Sequence, residues 1–328
     1  MRRRHLAILG LVLVAGGCLA FAATGSGRAD LEAAARVLRD AQPGWVLLAA
    51  LSCATALLCS ARAWAVGLRV CGCESSFAQV AARYSVGSLV NAFAPAHLGA
   101  ASRIALMART LPRSDRLWQA GGVGLAVGVA RALGLALLVF AAAALGRIPV
   151  WPAPLLAALV AAAFVLGPRV AQRSHGRLGS VLSVFGRLGR RDGRHLLAWI
   201  CCSTAARVCA AAAAAEALGL AQPLWVAVVL LAAIALASTL PLTPGNFGVG
   251  AGAATIALHG VGVGMGQALA LGVAFQAIET AASVTLGLLG TAVLATPGTP
   301  VRRLAFAGAV ASTALVAGAL GMAAVDVV

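Results

Sequence analysis

The sequence predicts an all-α integral membrane protein, on three observations. Hydrophobic residues make up 61% of the 328-residue chain, mean hydropathy is +0.96, and apolar runs of spanning length alternate with Arg-rich connections. Only 10% of residues are charged, against about 25% in a soluble domain. So little polar surface does not cover a water-facing body, and lipid must solvate most of the chain. The length allows about eight spanning helices of ~20 residues in one membrane domain, residues 1–328.

The apolar runs place those helices at about 6–24, 44–67, 117–146, 151–168, 196–219, 223–241, 265–294 and 304–325. All 25 basic residues are Arg, and the net charge is +16. The arginines fall mostly between apolar runs, the positive-inside pattern, which points away from nucleic acid as a partner. Arg2–Arg4 set the N-terminus in the cytoplasm of a bacterial plasma (inner) membrane. Arg62, Arg69, Arg302, Arg303 and a basic loop at 169–195 then fall on the same side. The run from Arg2 through Ala15-Gly16-Gly17-Cys18 resembles a lipoprotein signal. Because the apolar stretch continues to Ala23, an uncleaved first span is preferred. The other cysteines sit mostly in apolar runs without the spaced partners of a zinc site, so neither metal nor disulfides are expected.

Parity holds only if two segments re-enter the membrane from the side they left. The first is 76–112, where Asn91, Pro95, His97 and Gly99 interrupt apolar stretches too short to span. The second is 223–262, broken by Pro241, Pro244, Gly245 and Gly248. Both carry Pro-x-x-[Leu/Phe]-Gly, from Pro95 to Gly99 and from Pro244 to Gly248. Breaks opening from opposite faces fit an inverted repeat, in which broken helices meet at the binding site. Two further segments read as amphipathic: 29–42, an outer-surface helix capped by Asp30, and 177–192, along the anionic cytoplasmic leaflet.

Ionisable residues inside spans cost ~2.5–3.5 kcal/mol each and mark functional positions. Here they are Arg131, Arg207, Glu216 and Glu279, with Gln276 beside the last and Arg103 just past the first break. One reading is structural, an Arg131–Glu279 pair locking two helices. The other is a cationic cavity in which Arg103, Arg131 and Arg207, with His97 and Asn91, hold a phosphate-bearing head group. No catalytic constellation stands out. Asp30 and Glu32 in the first external loop are the one acidic pair that a polyprenyl-phosphate glycosyltransferase would use, and a helix cap explains them more simply.

At the hairpins the chain resembles the membrane domain of lysylphosphatidylglycerol synthases, a flippase-like family. Asn91, Pro95, Gly99 and Arg103 match the first family motif, Arg131 keeps the Arg of a Glu-Arg pair, and Pro241, Pro244, Gly245 and Gly248 match the second motif. His97 replaces a family Arg, Gln276 stands where a later helix often has Arg, and Ala100, Ala130 and Ala251 replace acids. The resemblance implies the flipping of aminoacylated phospholipids or the handling of lipid-linked precursors. No counterpart of the synthases' soluble transferase domain is recognised, so lysyl transfer is not expected.

The expectation is therefore a non-enzymatic flippase or lipid-binding transporter, with membrane lipids as partners and no cofactor. The alternatives are a scaffold subunit of an envelope-biosynthesis enzyme and, third, the glycosyltransferase. No pattern sets the oligomeric state.

Overall fold

The computed structural model describes residues 25–93, 98–112, 115–144, 177–237 and 248–325. Over these residues the chain is helical without strands. Among the described residues four helices are long and apolar enough to cross a membrane: α2 (Pro43–Val70), α5 (Arg116–Ala144), α7 (Arg190–Ala217) and α10 (Met265–Leu294). The shorter helices are α1 (Gly25–Arg39), α3 (Phe77–Phe93), α4 (Leu98–Ala108), α6 (Arg177–Arg187), α8 (Pro223–Ala237) and α9 (Val249–His259), and α11 (Pro300–Val325) covers the last expected span. The spans expected at 6–24 and 151–168 lie outside the described residues. The protein is an all-α, multi-pass membrane protein.

Local chemistry sets the helix ends. Pro43 opens α2, where its missing N–H costs nothing. Gly72 closes α2 with φ of 88° and Gly219 closes α7 with φ of 66°, the left-handed conformation that glycine adopts freely. In both closures the second N–H past the cap returns to the carbonyl five residues earlier: Cys73 to Leu68 at 3.1 Å, and Leu220 to Ala215 at 3.0 Å. Each frayed end is thereby satisfied in a Schellman turn. Asp30 does not cap α1 as the sequence suggested, because the helix is already formed at Gly25.

The contacts fix the directions of the helices. Across α2 and α7, Ser60 meets Ser203, and the amide of Gln42 donates to Ala217 O at 2.9 Å. These two helices are antiparallel, and the run Ala210–Ala215 lets them approach closely. Gly67 faces Val123 and Gly124 faces Trp64, so α5 is antiparallel to α2. Gly290 abuts Ala82 O and Gly287 abuts Ser85 O, so α10 is antiparallel to α3 and runs parallel to α2. Within the α3–α4 hairpin, Gly87 faces Arg103 and Gly99 presses against Asn91 with no room for a side chain.

Two consequences follow. Residues 71–115 leave and return at the end of the bundle where α2 finishes, and 218–264 leave and return at the opposite end. Helix α10 touches both excursions, α3 through Gly287 and Gly290, and α9 through Gly272 against Ala251. Of the segment 177–192, expected to lie along the membrane surface, Arg177–Arg187 is a helix with Val184 fully buried beside Gly122 of α5. It is therefore tied to the bundle as well as amphipathic.

Candidate functional site

The apolar core is split in two. One cluster, from Cys53 on α2 through Ala210–Ala215 on α7 to Phe275 on α10, fills the end where α2 begins. The other fills the far end and includes Ala61–Leu68 on α2, Ala120–Ala130 on α5, and Leu196 and Ile200 on α7. Between them α2 places Ser60, α5 places Arg131, and α7 places Ser203 and Arg207. All lie near mid-span. Arg131 is one residue from the centre of α5 (116–144) and Ser203 half a residue from that of α7 (190–217). Glu279 is half a residue from the centre of α10 (265–294), and Ser60 is three and a half from that of α2 (43–70), about 5 Å along the axis.

The hydroxyls form a directed chain. Arg131 Nη2 donates to Ser60 Oγ at 3.2 Å. Ser203 Oγ donates to the Ala56 carbonyl at 2.8 Å, so its single hydrogen is used. In the 2.8 Å Ser60–Ser203 contact, Ser60 is therefore the donor. Both serines are buried, where an unpaired hydroxyl would carry a desolvation cost.

Arg103 arrives from α4. Its guanidinium lies over the Tyr84 ring at 4.3 Å, a cation–π contact strengthened by burial. Its Nη2 donates to Ser88 Oγ at 3.2 Å, while its Nε is buried without a hydrogen-bond partner. Tyr84 is 2% exposed and stands next to Ser60, Arg103 and Arg131, with Arg207 also in its field. It is the chain's single tyrosine, and two arginines, Arg103 and Arg131, converge on it.

Arg207 differs from the other two. It pairs with Glu279 at 2.8 Å, with the two side chains 33% and 31% exposed. The lock between helices is thus Arg207–Glu279, joining α7 to α10, in place of Arg131–Glu279. Arg103 and Arg131 have no carboxylate partner among the described residues.

The remaining candidates sit apart. Asn91 and Gly99 pack together beside the break between α3 and α4. Gln276 is buried and its Oε1 accepts the Gly248 amide at 3.3 Å; it thereby caps the start of α9, where Gly248 has φ of 86°. Glu216 lies in the last turn of α7, nine residues from Arg207 or about 13 Å along the axis. Pro95, His97, Pro241, Pro244 and Gly245 lie outside the described residues. No group of three His, Cys, Asp or Glu side chains forms a metal site among the described residues.

Sequence reasoning missed Tyr84, Ser60, Ser88 and Ser203. A signal was present: one tyrosine in the whole chain, and isolated hydroxyls at the middle of apolar spans. Chemically, the arrangement offers guanidinium and hydroxyl donors at mid-depth and few acceptors. That is the donor set of an anion site. Comparison with curated proteins finds no match. The family model described as "Lysylphosphatidylglycerol synthase TM region" matches residues 7–287, and the chain belongs to that family.

Proposed function

We propose that the protein binds a phosphate-bearing lipid head group at the Tyr84 cluster and carries it across the bilayer without chemical change. The observation that carries this reading is the pair Arg103 and Arg131, held at mid-span beside Tyr84 with no carboxylate partner among the described residues. A charge there is retained only where a partner or cavity compensates it, and an Arg fork matches phosphate oxygens. Two excursions entering from opposite ends and meeting one long helix, α10, supply the architecture in which such a site is exposed to each side in turn. The setting is a bacterial inner membrane with the N-terminus in the cytoplasm, the orientation favoured by the arginine distribution.

The test is translocation of a fluorescent phospholipid in proteoliposomes. Arg131→Ala and Arg103→Ala each lower the rate at least tenfold; wild-type rates in both variants sink the proposal. A second reading, a scaffold for a cell-envelope enzyme, draws on the closed Arg207–Glu279 pair, a purely structural use of intramembrane charge. Stable co-purification of such an enzyme together with unaltered translocation in the variants would favour it.

A further inference from the structure

The charge inventory narrows the head group. The chain has nine acidic residues, and eight of them lie on segments that the structure describes. Asp30 and Glu32 lie on α1, and Asp40 just after it, next to the start of α2. Glu74, Asp115 and Asp192 lie at the other end, in the connection after α2, before α5 and in the first turn of α7. From Ser60 those two ends of α2 are 17 and 10 residues away, about 25 and 15 Å along the axis. Glu216 is in the last turn of α7, and Asp326 lies outside the described residues. Among the described residues the one carboxylate in an ion pair is Glu279, which Arg207 occupies at 2.8 Å.

Among the described residues the cluster therefore holds three guanidinium charges and one carboxylate, an excess of two positive charges at mid-depth. The hydrogen-bonding count agrees. Of the N–H groups of Arg103 one goes to Ser88 and the buried Nε donor is unpartnered.

Resting on the function proposed above, we infer that this site is selective for a lipid phosphate monoester, a head group with about two negative charges at neutral pH, and rejects the cationic aminoacylated lipids for which its family is named. Two unneutralised arginines balance the monoester. A phosphodiester leaves one of them uncompensated, and a lysyl ester adds an ammonium group beside an already cationic cluster, where like charges repel. Arg103 and Arg131 set this preference, and Tyr84 and Ser60 orient them.

The experiment measures binding to the purified full-length protein in detergent. The lipids share dioleoyl chains: phosphatidic acid, phosphatidylglycerol and lysyl-phosphatidylglycerol, with inorganic pyrophosphate as a competitor. Phosphatidic acid binds about tenfold or more tighter than phosphatidylglycerol, and lysyl-phosphatidylglycerol binds weakest. Arg131→Ala collapses the difference between the first two, while Arg131→Lys, which keeps the charge and guards against misfolding, preserves the order. Tightest binding of lysyl-phosphatidylglycerol, abolished by Arg131→Ala, overturns the charge preference and leaves the head-group site standing. Binding of all three lipids that ignores Arg103→Ala and Arg131→Ala overturns both. Pyrophosphate displacing phosphatidic acid at equal affinity makes the ligand a soluble anion and overturns the lipid assignment.

Discussion

Replacing Glu279 with Gln removes the one acid at the cluster and leaves Arg207 charged without a partner. At 2.8 Å and an effective dielectric of about 20, the pair attracts by roughly 6 kcal/mol before desolvation. Breaking a fully buried pair costs about 3–5 kcal/mol, and an exposed pair contributes under about 1. With side chains 33% and 31% exposed, Arg207–Glu279 falls between these limits, and Glu279→Gln should destabilise by about 2 kcal/mol. For a protein of this size that lowers the apparent Tm by roughly 3–6 °C. Arg207→Gln costs a similar amount, and the double variant costs well under the sum because both single changes break one interaction. Glu279→Gln should also tighten phosphatidic acid binding, since Arg207 becomes a third free cation. The assay is thermal unfolding of the four proteins in one detergent, with lipid titrations alongside. Additive losses, or weaker binding of the anionic lipid to Glu279→Gln, would refute the reasoning.

Gly290→Val should be more damaging than an ordinary surface change, because its Cβ would lie 2.6 Å from the Ala82 carbonyl oxygen, backbone against backbone. A loss of about 1–3 kcal/mol appears as a lower Tm; an unchanged Tm would contradict the α3–α10 contact. Ser60→Ala removes the acceptor of Arg131 and should cost about 1–2 kcal/mol. Ser203→Ala added to it should cost little more, as both belong to one relay, and fully additive losses would argue against the chain Arg131–Ser60–Ser203–Ala56.

Hydrophobicity made much of the fold legible. The span expected at 265–294 is the helix Met265–Leu294, and those at 44–67 and 117–146 lie within three residues of Pro43–Val70 and Arg116–Ala144. Lipid-solvated helices announce themselves because nearly every position in them is apolar. The start of α7 was placed six residues late, at 196, because Arg190–His195 is polar yet helical; hydropathy detects the membrane-immersed part of a helix and misses its wet extension. The site was legible as residue types and illegible as pairs. Arg131, Arg207 and Glu279 are conspicuous in apolar runs, but which arginine meets Glu279 depends on how α5, α7 and α10 are rotated and staggered, and composition carries no trace of that. Tyr84 escaped for a related reason: in a helix such as Phe77–Phe93 an aromatic residue reads as core until the guanidinium stacked upon it is seen.

Native mass spectrometry of the purified protein tests the central claim most directly, by identifying the lipid that stays bound through detergent exchange. The account predicts that the wild type retains a phosphate-bearing lipid and that the folded double variant Arg103→Ala, Arg131→Ala retains none. The same lipid held in the same amount by both proteins would contradict it.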